Sequence, residues 1–342
     1  QASLVGSEMC IRDRYNNDAS IFFGAAFCVY PNLNIKDGSF IFIHEGVQHN
    51  FRYSGFLNQE RMETTVGPLN IEIIKPLQQL RILLKDSDKD IDVDITFTGR
   101  FEPMEEPRMT LKNGPRVTMD STRMTQHGNW SGSIVFQKKK FDLKKEGLVG
   151  TRDRSWGIRP VGAADAQMMP SDKLPQFYWL WAPANFTNFS SHLYFVDNEE
   201  GITTHSHCVK QEEKISSKFE ELSKEIEYKK NSRRISKAIF SASKKDRSKI
   251  SWSLEPKYHI YMCGLGYMHP EWGHGQFKGD NQSHYDSYNL NEDLHDPPFL
   301  HIQAICEFHV VEDEQKHNGI GVLEQLIFGP HSPSGFKGLL DT

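Results

Sequence analysis

The chain has 342 residues, 37% of them hydrophobic, and 40 Lys and Arg against 45 Asp and Glu give a net charge of −5. At roughly 150 residues per domain the length suggests about two domains, and 22 Phe, 11 Tyr and 6 Trp can bury a core large enough to exclude disorder as the main state. No run approaches the ~18 apolar residues of a spanning helix, so no integral membrane segment is expected, and the acidic balance argues against a nucleic-acid partner.

In chain order, Ser3 to Arg14 reads SLVGSEMCIRDR, without hydrophobic periodicity or signal-peptide architecture. It is similar to translated sequencing-adapter DNA, which implies that residues 1–14 are a non-native tail outside the fold. The biological chain would then start near Tyr15. From Ser39 onward the pattern has a period of two. Phe40–Ile43, Leu69–Ile73 and Ile91–Phe97 read as strands, separated by turn signals at Lys36-Asp37-Gly38, Asp86-Ser87-Asp88, Val66-Gly67-Pro68 and Lys112-Asn113-Gly114-Pro115. Further strands are expected at Gly132–Gln137, Phe177–Trp181, His192–Val196, Ile250–Leu254, His301–Val310 and Gly321–Phe328. Over 212–234 a charged helix competes with a hairpin turning at Lys230-Asn231-Ser232, and the β surroundings favour the hairpin. Many short strands predict an all-β protein of antiparallel barrels. The Gly162–Pro175 stretch is the best boundary candidate, giving domains 15–165 and 166–342.

Three elements can carry chemistry. Arg152-Asp153-Arg154-Ser155-Trp156-Gly157-Ile158-Arg159 gathers three arginines and an aspartate around a tryptophan. It reads as a structural Arg–Asp network packing Trp156 into a barrel, or as a pocket with Asp153 as acid/base and Arg154 and Arg159 fixing a substrate. The residues alone favour the structural role. The second element is Gly264 to Gly275, containing Tyr267, His269, Glu271, Trp272 and His274, in a quarter that holds nine of the fifteen histidines. Imidazole–carboxylate chemistry suits proton transfer here. A metal on His269, Glu271 and His274 lacks a fixing spacing, so none is expected. Third, Phe177-Tyr178-Trp179-Leu180-Trp181 puts Trp179 and Trp181 on one strand face, as core or as a ligand-cavity wall. His205-Ser206-His207 reads as a solvated pair. The Trp-Gly strings at Trp156 and Trp272 raise the idea of an internal duplication. Cys10, Cys28, Cys208, Cys263 and Cys306 contain no CxxC pair, which predicts no disulfide framework and leans towards a reducing cytoplasm.

Together with Gln126-His127-Gly128-Asn129-Trp130-Ser131-Gly132, these Arg-Asp-Arg-Ser-Trp-Gly and His-Pro-Glu-Trp-Gly-His-Gly strings resemble the AttH-like/carotenoid 1,2-hydratase superfamily, in its bacterial two-domain branch. Gly321–Gln325 and His331–Phe336 also suit it. The resemblance implies two lipocalin-like β-barrels side by side, and an enzyme without a redox cofactor. That enzyme would hydrate, cyclise or isomerise a hydrophobic isoprenoid, steroid or polyketide-like substrate in an interdomain pocket. A lipocalin-like carrier of a lipophilic ligand is the alternative. In such hydratases a carboxylic acid protonates a double bond and aromatic faces stabilise the cation, and no catalytic residue of theirs aligns onto this chain. Asp153, flanked by arginines, should be too acidic, so Glu271 is the better acid, with Trp156, Trp179, Trp181 and Trp272 as aromatic faces.

Overall fold

The computed structural model describes residues 22–144, 147–162, 173–213, 215–244 and 248–342 in full, and 6–15 as backbone. The described residues hold strands and short 3-10 turns, with no α-helix among them. They divide into two units, Gln1–Met169 with Met262–Asp293, and Pro170–Tyr261 with Leu294–Thr342.

Thirteen consecutive strands build most of the first unit: β1 Gly6–Tyr15, β2 Phe22–Tyr30, β3 Ile35–His44, β4 Val47–Phe56, β5 Thr65–Val66, β6 Leu69–Lys75, β7 Gln79–Asp86, β8 Ile91–Gly99, β9 Met104–Glu105, β10 Met109–Asn113, β11 Arg116–Phe136, β12 Lys139–Asp142 and β13 Val149–Ile158. The second unit contains β14 Phe177–Asn185, β15 Ser190–Asp197, β16 Thr203–Glu212, β17 Ile215–Lys218, β18 Glu220–Tyr228, β19 Ile235–Ser243 and β20 Lys249–Tyr261. The chain then returns to the first sheet as β21 Gln282–Asn289, and ends in the second unit with β22 Ile302–Glu312 and β23 Gln315–Phe328.

Both sheets are antiparallel meanders that curl into lipocalin-like barrels. The first runs β21-β4-β3-β2-β1-β13-β11-β8-β7-β6-β5, the second β17-β16-β15-β14-β23-β22-β20-β19-β18. Alternation explains both cores. In β8, Ile91, Val93, Ile95 and Phe97 point inward and Asp92, Asp94 and Thr98 outward. They join Phe23, Phe40, Phe42, Phe51 and Trp130 in one cluster. Leu180, Phe195, Phe240, Trp252 and Phe308 anchor the other.

Several expectations change on contact with the fold. The hairpin over 212–234 is present as β18 and β19, with Glu225 opposite Ile239. Lys36-Asp37-Gly38, expected as a turn, lies inside β3. Gly38 is small because a Cβ there would come within 2.6 Å of Val66, so the glycine marks close packing rather than a bend. Residues 6–14, expected to stay outside the fold, pair with β2 and β13. Ladder hydrogen bonds use backbone groups that almost any sequence supplies, so missing side-chain periodicity does not prevent pairing. The two Trp-Gly strings do not mark a duplication. Trp156 sits in β13 and Trp272 in a loop, and both belong to the first unit. The segment Met262–Asp293 also joins that unit rather than the second, because β21 pairs with β4. Residues 163–172, most of the expected boundary stretch, lie outside the described residues.

Candidate active site

Over β2–β4 of the first unit and β14–β15 of the second, the sheet face turned away from the apolar cluster is also largely buried, and it carries polar and aromatic residues. In the first unit, alternation along β2, β3 and β4 puts Cys28 and Tyr30, Asp37 and Ser39, and Asn50 and Arg52 on that face. The turn Met262–Leu265 covers it: Ser39 Oγ donates to the Leu265 carbonyl at 2.9 Å and Arg52 Nη2 to the Cys263 carbonyl at 3.1 Å. Gly264 makes this approach possible, since a Cβ would stand 2.2 Å from Asn50 Oδ1 and 2.3 Å from Gln48 Nε2. Gly264→Ala is therefore expected to cost about 1–3 kcal/mol, read as a lowered urea midpoint at unchanged slope.

Asp286 on β21 organises the far edge of this face. Arg52 Nη1 approaches it at 3.0 Å, Asn50 Nδ2 donates at 2.8 Å and Tyr288 OH at 3.2 Å. Burial pushes the Asp286 carboxyl up, but the hydrogen bond from His269, the charge of Arg52 and the Asn50 amide together hold it below the usual carboxylate range. His269 Nδ1 accepts from the backbone N–H groups of Glu271 (3.1 Å) and Trp272 (2.8 Å), which leaves Nε2 facing Asp286 at 3.5 Å. Both nitrogens of this expected proton-transfer residue thus pin the loop. Trp272 stacks on His284 with ring centres 5.4 Å apart.

His274 comes down on the other end of the face. Its Nδ1 lies 3.5 Å from Asp37 Oδ1 and 3.7 Å from Cys28 Sγ, and the Tyr267 ring meets it edge-on at 4.7 Å. The Gly275 N–H donates to Asp37 Oδ2 at 2.7 Å. Burial pushes the Cys28 thiol up and the Asp37 charge raises it further, while Tyr30 and Arg159 oppose the shift.

The second unit holds the aromatic counterpart. Trp179 and Trp181 face away from its core with Tyr194, His192 and His207, all buried. Trp179 stacks on Tyr194 at 5.4 Å, and Trp181 meets His192 edge-on at 5.5 Å. Strand pairing sets Glu324 of β23 between Trp181 and Gln303. Glu324 accepts hydrogen bonds from Trp179 Nε1 at 3.1 Å, His301 Nε2 at 2.9 Å and Gln303 Nε2 at 2.8 Å. His207, expected to be solvated, is buried in this cluster, because β16 packs along its C-terminal half while His205 stays at the rim.

The other expected site residues are dispersed. Glu271 is exposed at the surface of its loop. Trp156 is 39% exposed rather than packed into the barrel, since β13 alternates and turns Arg152, Arg154 and Trp156 to the face opposite Asp153. The same alternation separates Asp153 from the two arginines that flank it in sequence. Arg152 lies over the Phe97 ring at 5.4 Å and donates to Gln126. Arg159 donates to Ser155 Oγ at 2.7 Å. Sequence reasoning missed Glu324, His301, Asp37 and Cys28 as site residues. Their hydrogen-bond partners are 21 to 246 positions away, and strand pairing together with the loop that carries His274 brings them together. An open groove of the second unit, lined by Glu221, Lys249, Asp313 and Glu314 among others, holds none of the expected residues. Among the described residues no helix is long and apolar enough to cross a membrane.

The fold recurs in solved structures. A protein of Nitrosomonas europaea assigned as an AttH shares 10% identity over 95% of this chain and 94% of its own, with a TM-score of 0.54. Kievitone hydratase from Nectria haematococca is similar at 12% identity, 95% and 90% coverage and a TM-score of 0.55. CghA with Sch210972 gives 10% identity, 94% and 88% coverage and 0.56. No curated protein matches the chain. At these identities the likeness is one of fold, and it bears out the expected AttH-like, lipocalin-like architecture. The sequence itself matches one family model over residues 10–337, so the chain belongs to the family of unknown function DUF8625.

Proposed function

We propose that the protein is an acid–base enzyme without a redox cofactor, of hydratase, cyclase or isomerase type, acting on an apolar small molecule. The observation that carries this reading is the buried Glu324–His301 pair at 2.9 Å, set beside Trp179 and Trp181. Glu324 accepts the His301 Nε2 proton and so orients the ring, directing proton exchange through Nδ1. Trp179, Trp181 and Tyr194 offer π faces to a developing positive charge, and their area favours an apolar ligand. Support of a coarser kind comes from the shared fold, since one structural neighbour is a kievitone hydratase and another, CghA, was crystallised with Sch210972. A fold hosts many functions, so the site carries the proposal.

Mass spectrometry of molecules that co-purify with the full chain identifies the substrate class. With that molecule in hand, His301→Asn and Glu324→Gln should each lower conversion by about 10²–10⁴-fold while the circular dichroism spectrum is unchanged. Conversion at the original rate by both variants would end this assignment. A ligand that co-purifies and is never converted would establish the carrier reading instead.

A further inference from the structure

Cys28, Asp37 and His274 bring together a thiol, a carboxylate and an imidazole that the proposal above leaves unused. Their ligating atoms all lie within 4.8 Å of one another. The Sγ–Nδ1 separation is 3.7 Å and the Nδ1–Oδ1 separation 3.5 Å, both at the long limit for a hydrogen bond. They match another geometry. Zinc sits about 2.3 Å from a thiolate sulfur and about 2.0–2.2 Å from an imidazole nitrogen or carboxylate oxygen, so ligand atoms at the corners of its tetrahedron stand roughly 3.3–3.6 Å apart.

The surroundings hold the three residues as a ligand set needs to be held. Cys28 is fully buried on β2, and the His274 and Asp37 side chains are 7% and 16% exposed. The Gly275 N–H occupies Asp37 Oδ2, leaving Oδ1 directed at His274. The His274 backbone is fixed at both ends, its N–H on the Gly266 carbonyl and its carbonyl on the Gly162 N–H. Such outer contacts orient ligands before a metal arrives. His274 Nε2, buried and without a hydrogen-bond partner, keeps its proton when Nδ1 is the ligating nitrogen.

We propose that Cys28, Asp37 and His274 bind one Zn(II) ion, with a fourth coordination position open. The sulfur donor selects a zinc-type ion over magnesium or calcium, which prefer oxygen alone. Binding releases the Cys28 proton to solvent, and the thiolate electron pair forms the metal–sulfur bond. A second group, His269, His284 and Asp286, is equally close, but the Arg52 guanidinium already occupies Asp286 and repels a cation there.

The test uses the chelator-treated full chain, with Co(II) as an optical probe for Zn(II). One equivalent of Co(II) should bind with a thiolate-to-cobalt charge-transfer band and the visible absorption of a tetrahedral ion, and Zn(II) should displace it. Cys28→Ser should lose the charge-transfer band and bind Zn(II) about 100-fold more weakly or worse, while His284→Gln behaves as wild type. X-ray absorption of the zinc-loaded wild-type protein should show one sulfur at about 2.3 Å among nitrogen and oxygen ligands. This measurement decides the matter even where Cys28→Ser does not fold. Failure to bind one equivalent, a shell without sulfur, wild-type behaviour of Cys28→Ser, or loss of binding in His284→Gln would each overturn the site.

Discussion

Replacing Arg52 with Met is expected to destabilise the protein by about 3–5 kcal/mol, because it leaves the half-buried Asp286 carboxylate without its cation. Arg52 is 2% exposed and also donates to Tyr288 OH and the Cys263 carbonyl, so water cannot readily replace it. The pH dependence should change with it. A carboxylate held below its ordinary range stabilises the folded state above its unfolded pKa of about 3.9, and that contribution is lost as the pH falls towards the folded value. Wild-type stability should therefore drop more steeply below about pH 4 than that of Arg52→Met. The double variant Arg52→Met/Asp286→Leu should recover much of the loss. Urea titrations of the three proteins check this, and equal stabilities of the single and double variants would show that the ion pair does not hold the β4–β21 edge.

Gly157→Ala is expected to cost about 3 kcal/mol or more. Its φ is +135°, and an added Cβ would stand 2.1 Å from the Asp120 carbonyl oxygen of the neighbouring strand. Backbone cannot move aside as a side-chain tip can. Gly147 supplies the contrast, with φ +60° and nothing within 4 Å of the added carbon, so Gly147→Ala should cost no more than about 1–2 kcal/mol. Thermal unfolding of both variants separates steric from conformational cost. Equal shifts would mean that the β11–β13 approach is not tight.

These two positions show what the sequence could and could not convey. The strand Ile91–Phe97 was legible because one face meets the core and the other meets water, leaving a period of two. Phe22–Tyr30 was not, since both of its faces are buried and nothing alternates. The signature around Gly157 stood out in the sequence, and its glycine lies tight against the carbonyl of a neighbouring strand. Within the loop, His274 stood out by chemistry and does reach a half-buried carboxylate and a buried thiol, whereas Glu271, chosen for its flanking residues, is exposed. Trp179 and Trp181 were visible as an aromatic strand. Glu324 on β23 and His301 just before β22, which complete their cluster, are unremarkable in sequence and are brought together where β22 pairs with β23.

The return of Met262–Asp293 to the first sheet sets the order in which the protein can be made. A ribosome that has released β1 to β13 has produced a sheet whose β4 edge still lacks β21, and whose Arg52 has not yet met Asp286. The whole of β14 to β20 must emerge before that edge is closed. An open strand edge is a template for pairing with other chains. The nascent first unit is thus exposed to aggregation for the time taken to translate most of the second, and the two units mature together rather than in succession.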